Sequence, residues 1–312
     1  MRLAACLLAG LLIVTAGPAR AADKLTVLLD WFVNPDHGPL IVAAELGLYA
    51  EQGLEVELIA PADPNDPPKL VAAGKADIAI SYQPQLHLQI DQGLPLVRFG
   101  TLVATPLNTL AVLADGPVKT LADLKGRKIG YSVAGTEEAM LTAMLRTVGL
   151  GMADVEMVNV NFSLSPSLIA GQVDAVIGAY RNFELNQMDI VGRPGRAFFV
   201  EEHGVPPFDQ LIYVAHRDNA ADSRLPRFLA ATERAVQYIV NHPDDAWALF
   251  VKNHKEVDDE LNRRAWRDTL PRFALRPAAI DFGRYDRLAG FLKEAGLIKA
   301  VPPVESYAVA VR

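Results

Sequence analysis

From residue 24 to about residue 200 the chain alternates short apolar runs with stretches of helical spacing, and Gly, Pro and polar residues punctuate nearly every junction. Links this short between strand and helix confine the possible folds to mostly parallel sheets flanked by helices. A first set of strands is expected at 24–29, 54–59, 78–81 and 96–103, with helices at 37–50, at 69–73 and ending near Asp91. The pattern restarts after Asp115-Gly116-Pro117, with strands at 129–133, 155–160, 175–178 and 197–200 and helices at 136–148, 166–170 and 181–188. Beyond a strand at 211–215 only helical patterns follow, at 224–240, 243–252, 260–270 and 281–295. Two α/β lobes are therefore expected, the second inserted into the first. Lobe 1 takes 22–110 and 211–312, and lobe 2 takes 111–210. The strands near Thr109 and Leu211 carry the two crossings, and the C-terminal region is helical.

Residues 1–21 read as a signal peptide rather than as part of the fold. Arg2 gives a positive start, residues 3–16 are an apolar run too short to span a bilayer comfortably, and Ala19-Arg20-Ala21 fits the small-residue rule for signal peptidase. Cleavage after Ala21 and export to the periplasm are expected, with no membrane insertion afterwards. The one cysteine, Cys6, lies in this leader, so the mature chain has no thiol for disulfides, nucleophilic catalysis or metal ligation. Without Arg2 and Arg20 it carries 28 basic and 37 acidic residues. An acidic surface is poorly suited to nucleic acid or an anionic membrane.

The stretch Leu29-Asp30-Trp31-Phe32-Val33-Asn34-Pro35-Asp36-His37 leaves the carboxyl end of the first strand, where α/β folds bind ligands. A Trp face beside Asp, Asn and His suits a flat, polar heterocycle. A strand-to-helix turn with Trp31 covering core explains the same residues equally well. Ser81-Tyr82-Gln83-Pro84-Gln85 is a second polar and aromatic strand exit. In Tyr180-Arg181-Asn182-Phe183-Glu184, a helix beginning at Arg181 sets Tyr180 and Glu184 on one face. A carboxylate beside an aromatic platform accepts from an exocyclic amine and a protonated ring nitrogen, as carboxylates do from cytosine. The alternative is a solvated Glu with a capping Tyr.

Catalytic signatures are lacking. There is no His-Glu-x-x-His, and the six histidines are scattered without metal-ligand spacing. Gly130-Tyr131-Ser132-Val133-Ala134 lacks the second glycine of a hydrolase elbow, so Ser132 reads as a polar residue lining a cleft. Gly135-Thr136-Glu137-Glu138 opens a helix, a natural anion site, but two carboxylates in the first turn repel phosphate or sulfonate. A helix start stabilised by its own acids accounts for both.

Together these segments resemble the NMT1/THI5-like proteins. Asp30-Trp31 with Asn34 and His37, Gly47-Leu48-Tyr49, Gly74-Lys75-Ala76-Asp77, Ser81 to Pro84, Gly130 to Ser132 with Glu137-Glu138, and Tyr180 to Glu184 carry the likeness. It covers the mature chain up to about Asp218. The resemblance implies a type II periplasmic-binding-protein fold and a solute receptor that hands its ligand to an ABC permease and its ATPase. The implied ligand is an aminopyrimidine precursor of thiamine, formylated or hydroxymethylated, with no cofactor or metal. It implies contacts from Asp30, Trp31, Tyr180 and Glu184, with Asn34, His37, Ser81, Tyr82 and Gln83 as further candidates. Other solutes of this fold are riboflavin, nitrate and alkanesulfonates, the anionic ones disfavoured by the acids. The fungal relatives are synthases that use their own His as a donor in an iron-dependent reaction and carry a cysteine cluster, which the mature chain lacks.

Overall fold

The structure, a computed structural model, describes residues 21–311; the expected leader, with Cys6, lies outside them except for Ala21. Lobe 1 begins with β1 (Asp23–Leu28), α1 (Gly38–Glu45), α2 (Leu48–Glu51), β2 (Leu54–Ile59), α3 (Pro67–Ala72), β3 (Ile78–Ser81), α4 (Gln83–Asp91) and β4 (Leu96–Val103). Lobe 2 follows as β5 (Asn108–Leu113), β6 (Lys128–Tyr131), α5 (Thr136–Arg146), β7 (Glu156–Asn159), α6 (Leu164–Ile169), β8 (Ala175–Tyr180), α7 (Glu184–Ile190) and β9 (Gly195–Phe199). The chain returns through β10 (Leu211–His216) and ends in α8 (Arg224–Asn241), α9 (Pro243–Phe250), α10 (Glu260–Thr269) and α11 (Phe282–Glu294).

The two sheets share one plan. The first runs β2-β1-β3-β10-β4 and the second β7-β6-β8-β5-β9. In each, one strand pairs in parallel with two neighbours, β1 with β2 and β3, β6 with β7 and β8. Each also has one antiparallel strand delivered by a crossing, β10 between β3 and β4, β5 between β8 and β9. All of β5 pairs within the second sheet, so the first crossing precedes Asn108 rather than following residue 110.

Burial explains the residue choices. Every side chain of β3 is buried, and β10 is buried along Leu211 to Ala215, as central strands covered on both faces require. Edge strand β2 instead buries Leu54, half-buries Val56 and Leu58 and leaves Glu55 and Glu57 to solvent. Phe228 of α8 anchors the first lobe's core, stacked on Tyr49 at 5.5 Å and edge-on to Tyr213 at 5.2 Å. Removing such a ring costs roughly 3–5 kcal/mol.

Helix α11 belongs to both lobes. Its Tyr285 packs with Ile212, Val214 and Tyr307, while Leu288, Ala289 and Leu292 join the core of lobe 2 beside Met144 and Phe208. Assigning all of 211–312 to lobe 1 therefore misses a helix whose apolar face is long enough to bridge both cores. Arg284 at its start donates to Ala104 O (2.8 Å) on one crossing and pairs with Asp209 on the other.

Candidate functional site

The carboxyl ends of β1, β3, β6 and β8 face one another across the gap between the lobes, and a pocket lies there. Lobe 1 lines it with Asp30, Trp31, Asn34, Asp36 and Tyr82; lobe 2 supplies Asn108, Val133, Thr136, Glu137, Leu164, Gly178, Tyr180, Phe183 and Glu184. The space amounts to about 520 Å³, solvent at the mouth included.

The lobe 1 wall is built by the turn after β1. Asn34 caps it, its Oδ1 accepting the Asp36 N–H at 2.8 Å. His37 is fully buried; its Nδ1 accepts the Asn34 N–H (3.4 Å), which leaves Nε2 to donate to Asp30 Oδ1 at 2.9 Å. The tautomer follows from that hydrogen-bond network. Tyr82 donates its hydroxyl to Asp30 Oδ2 at 2.9 Å. Asp30 is thus clamped from both sides. Trp31 sits edge-on to Phe162 of lobe 2, ring centroids 4.5 Å apart.

On lobe 2, Glu184 opens α7. Arg181 cannot begin that helix because its N–H still bonds Leu107 O at 3.0 Å, prolonging the strand pairing. The shared helical face expected for Tyr180 and Glu184 is replaced by a tighter turn, in which Glu184 Oε2 accepts the Tyr180 N–H at 2.6 Å. The Tyr180 hydroxyl accepts from Gln210 Nε2 at 3.0 Å. Glu137 is buried rather than solvated: its Oε2 accepts the Ser132 N–H at 2.7 Å, and its carboxyl presses on Gly178, where φ is +95° and any side chain would collide with it. Reading Glu137 as a helix-start acid alone missed this inward turn.

Burial dominates the electrostatics. It pushes Glu137 up to about 8, against the Ser132 and Val133 N–H groups that favour the anion. It pushes Glu184 up to about 7, opposed by the Tyr180 N–H, and Asp36 up to about 6, opposed by hydrogen bonds from Thr269 and Asn182. The Tyr82 and Tyr180 hydroxyls are raised well above their ordinary value, again chiefly by burial. No basic side chain lines the pocket among the described residues. The site therefore suits a ligand rich in N–H donors or carrying a positive charge.

Polar contacts close both rims. Asn182 Nδ2 donates to Asp36 Oδ1 at 2.7 Å, Asn186 Nδ2 donates to Asp268 Oδ2 at 2.8 Å, and on the opposite rim the Asn65 amide meets the backbone of lobe 2.

Of the nine candidates from the sequence, Asp30, Trp31, Asn34, Tyr82, Tyr180 and Glu184 line the pocket. Three do not. His37 lies behind Asp30, Ser81 spends its hydroxyl on Gln85 Oε1 (2.9 Å), and Gln83 Oε1 accepts the Asp209 N–H (2.8 Å) beneath the second crossing. Asn108, Thr136, Glu137 and Phe183 were not among the candidates. Asn108 opens an antiparallel strand, so its start, not its end, reaches the ligand edge of the sheet.

The sequence profile of the NMT1/THI5-like family matches residues 34–246. The chain belongs to that family. A Haemophilus influenzae member named for thiamine biosynthesis is 50% identical over 295 residues, 94% of each chain. The formylaminopyrimidine-binding protein of Halalkalibacterium halodurans is 32% identical, covering 82% of this chain and 78% of its own. A 4-amino-5-hydroxymethyl-2-methylpyrimidine phosphate synthase of Schizosaccharomyces pombe is 26% identical over 78% and 73%. Among solved structures, the alkanesulfonate-binding protein SsuA of Xanthomonas axonopodis pv. citri superposes with a TM-score of 0.74 at 14% identity, over 93% of this chain and 99% of that one. The NMT1/THI5-like chain thus has the periplasmic-binding-protein fold. Among the described residues no helix is long and apolar enough to cross a membrane.

Proposed function

We propose that this chain is an exported receptor for an aminopyrimidine precursor of thiamine, of the formylaminopyrimidine or hydroxymethylpyrimidine type, which it delivers to an ABC permease. One observation carries the reading: a pocket between two lobes lined by four carboxyl groups and four aromatic rings, with Glu184 and Asp30 contributed from opposite sides. An aminopyrimidine offers what such a wall lacks, an N–H donor next to a basic ring nitrogen. Each member of the pair supplies what the other accepts, and one proton is shared between the carboxyl and the ring. Trp31 and Tyr180 supply ring faces, worth roughly 1–3 kcal/mol per stacked base in nucleic-acid proteins. The names of the 50% and 32% identical relatives point the same way.

The mechanism is closure of two lobes over the ring, the closed state favoured by contacts that only it can make to both walls. Calorimetry with 4-amino-5-hydroxymethyl-2-methylpyrimidine, its formamidomethyl analogue and an alkanesulfonate tests the reading. Micromolar or tighter binding of a pyrimidine is expected, and none of the sulfonate. Failure of every pyrimidine to bind would end it. The synthase reading is less well supported: His37, the candidate donor, is fully buried behind Asp30 and does not line the pocket, and residues 22–312 contain no cysteine.

A further inference from the structure

The wall formed by lobe 2 carries two polar groups that the grip on the ring leaves unused. Thr136 Oγ1 is buried, belongs to a residue lining the pocket and has no hydrogen-bond partner among the described residues. It stands in the first turn of the 11-residue helix α5, behind Gly135, which has φ +81° and no side chain to cap the turn. Asn108 lines the same pocket, and its Nδ2 meets Met140 Sδ, a weak acceptor, at 3.3 Å. Met140 lies one helical turn after Thr136, on the same face of α5, so the Asn108 amide and the Thr136 hydroxyl share a wall. Buried donors short of good acceptors inside a ligand pocket mark the place of a ligand oxygen.

Charge decides which oxygen. Glu137 and Glu138 stand in the same first turn. Arg181 comes within 3.4 Å of Asn108 O but is engaged by both oxygens of Glu201, each at 2.8 Å. The helix end favours partial negative charge, but Glu138 opposes a full one and no basic side chain lines the pocket among the described residues to balance it. We infer that Thr136 and Asn108 form a subsite for a neutral oxygen-bearing substituent, a carbonyl or hydroxyl on the ring held by Asp30 and Glu184, and that this subsite rejects phosphate and sulfonate. The inference rests on the receptor reading and assigns the end of the ligand that the ring contacts leave open.

The test compares 4-amino-5-hydroxymethyl-2-methylpyrimidine with 4-amino-2,5-dimethylpyrimidine, which lacks the oxygen, and with the phosphate ester of the former. Wild-type protein is expected to prefer the alcohol about five- to tenfold over the dimethyl compound and to bind the ester undetectably. Thr136→Val, of nearly the same shape, should erase that preference while leaving the dimethyl compound's affinity unchanged; Thr136→Ser should restore it. A preference that survives Thr136→Val, an equal loss for both ligands with Thr136→Ser no better, or an ester bound as tightly as the alcohol overturns the subsite while the receptor reading stands. Failure of both uncharged pyrimidines to bind wild-type protein overturns the two together.

Discussion

Asn65 accepts the Ala134 N–H at 3.0 Å while donating to Ser132 O at 3.1 Å, so one side chain from the loop after β2 is laid along the backbone of the opposite lobe like a short extra strand. Neither bond survives if the lobes part, and Asn65 does not line the pocket. Its two bonds to lobe 2 act on the closed state alone, while its Nδ2 also donates to Asp63 Oδ1 at 2.9 Å within its own loop. Two such bonds are worth roughly 1–3 kcal/mol net. Asn65→Ala should weaken ligand binding by about five- to a hundredfold and enlarge the radius of gyration of the ligand-free protein in solution scattering. Unchanged affinity together with an unchanged scattering profile would show that the rim contact has no influence on closure.

On the proposed reading, Glu184 should set the pH dependence of binding. With its carboxyl near 7 and the proton shared with the ring in the complex, affinity should hold steady below that value and then fall about tenfold per pH unit above it. Glu184→Gln keeps an N–H donor and a carbonyl acceptor but cannot ionise, so its affinity should be flat across the same range. Glu184→Ala should lose roughly 1.5–3 kcal/mol at neutral pH. Titration calorimetry from about pH 6 to about pH 9 decides it, and an equally steep fall in the Gln variant would place the titrating group elsewhere.

Trp31 is the half-buried one of three tryptophans; Trp247 and Trp266 are packed against each other in the core of lobe 1. A fluorescence change on adding ligand should therefore come from Trp31 and vanish in Trp31→Phe, with affinity reduced by no more than about tenfold because a ring face remains. A persistent signal would mean that the core tryptophans report a wider rearrangement and that Trp31 does not meet the ligand.

Stability without ligand should fall as pH rises from about 5 to about 8. Glu137, Glu184 and Asp36 have folded-state values raised to about 8, 7 and 6. Across this window the folded chain holds protons that the unfolded chain has released, so deprotonation favours unfolding. The acids held low, such as Asp222 beside Arg224 and Glu45 beside Lys252, act in the opposite sense but below their ordinary values, outside the window; buried His87, pushed down to about 3, also opposes the fall up to its ordinary value, as one group against three. Glu137→Gln should flatten the slope in denaturant melts. A midpoint that rises towards pH 8 in the wild type would contradict the burial argument.

Much of this was readable in advance because strand-to-helix punctuation is local. The order of strands and helices, the two α/β sheets and the use of strand carboxyl ends all follow from patterns a few residues long, and Asp30, Trp31, Tyr180 and Glu184 sit where those patterns end. What escaped depends on distant partners. Nothing near residue 137 shows that Gly178 will make room for its carboxylate, and nothing near His37 shows that Asp30 will claim its ring nitrogen. Asn108 was hidden by direction, since its strand runs against its neighbours. The start of α7 shifted because Leu107, more than seventy residues away, keeps the Arg181 N–H in a strand-like bond.

Helix α11 also fixes a sequence of events in time. Lobe 1 draws on both ends of the chain, and the segment whose apolar face closes it also closes lobe 2. As the polypeptide emerges from its N-terminus, neither lobe has its full complement of residues until synthesis has passed Leu292. A chain halted before Phe282 would therefore expose unsealed apolar surface on two lobes at once, and should be a target for chaperones and proteases rather than a half-working receptor.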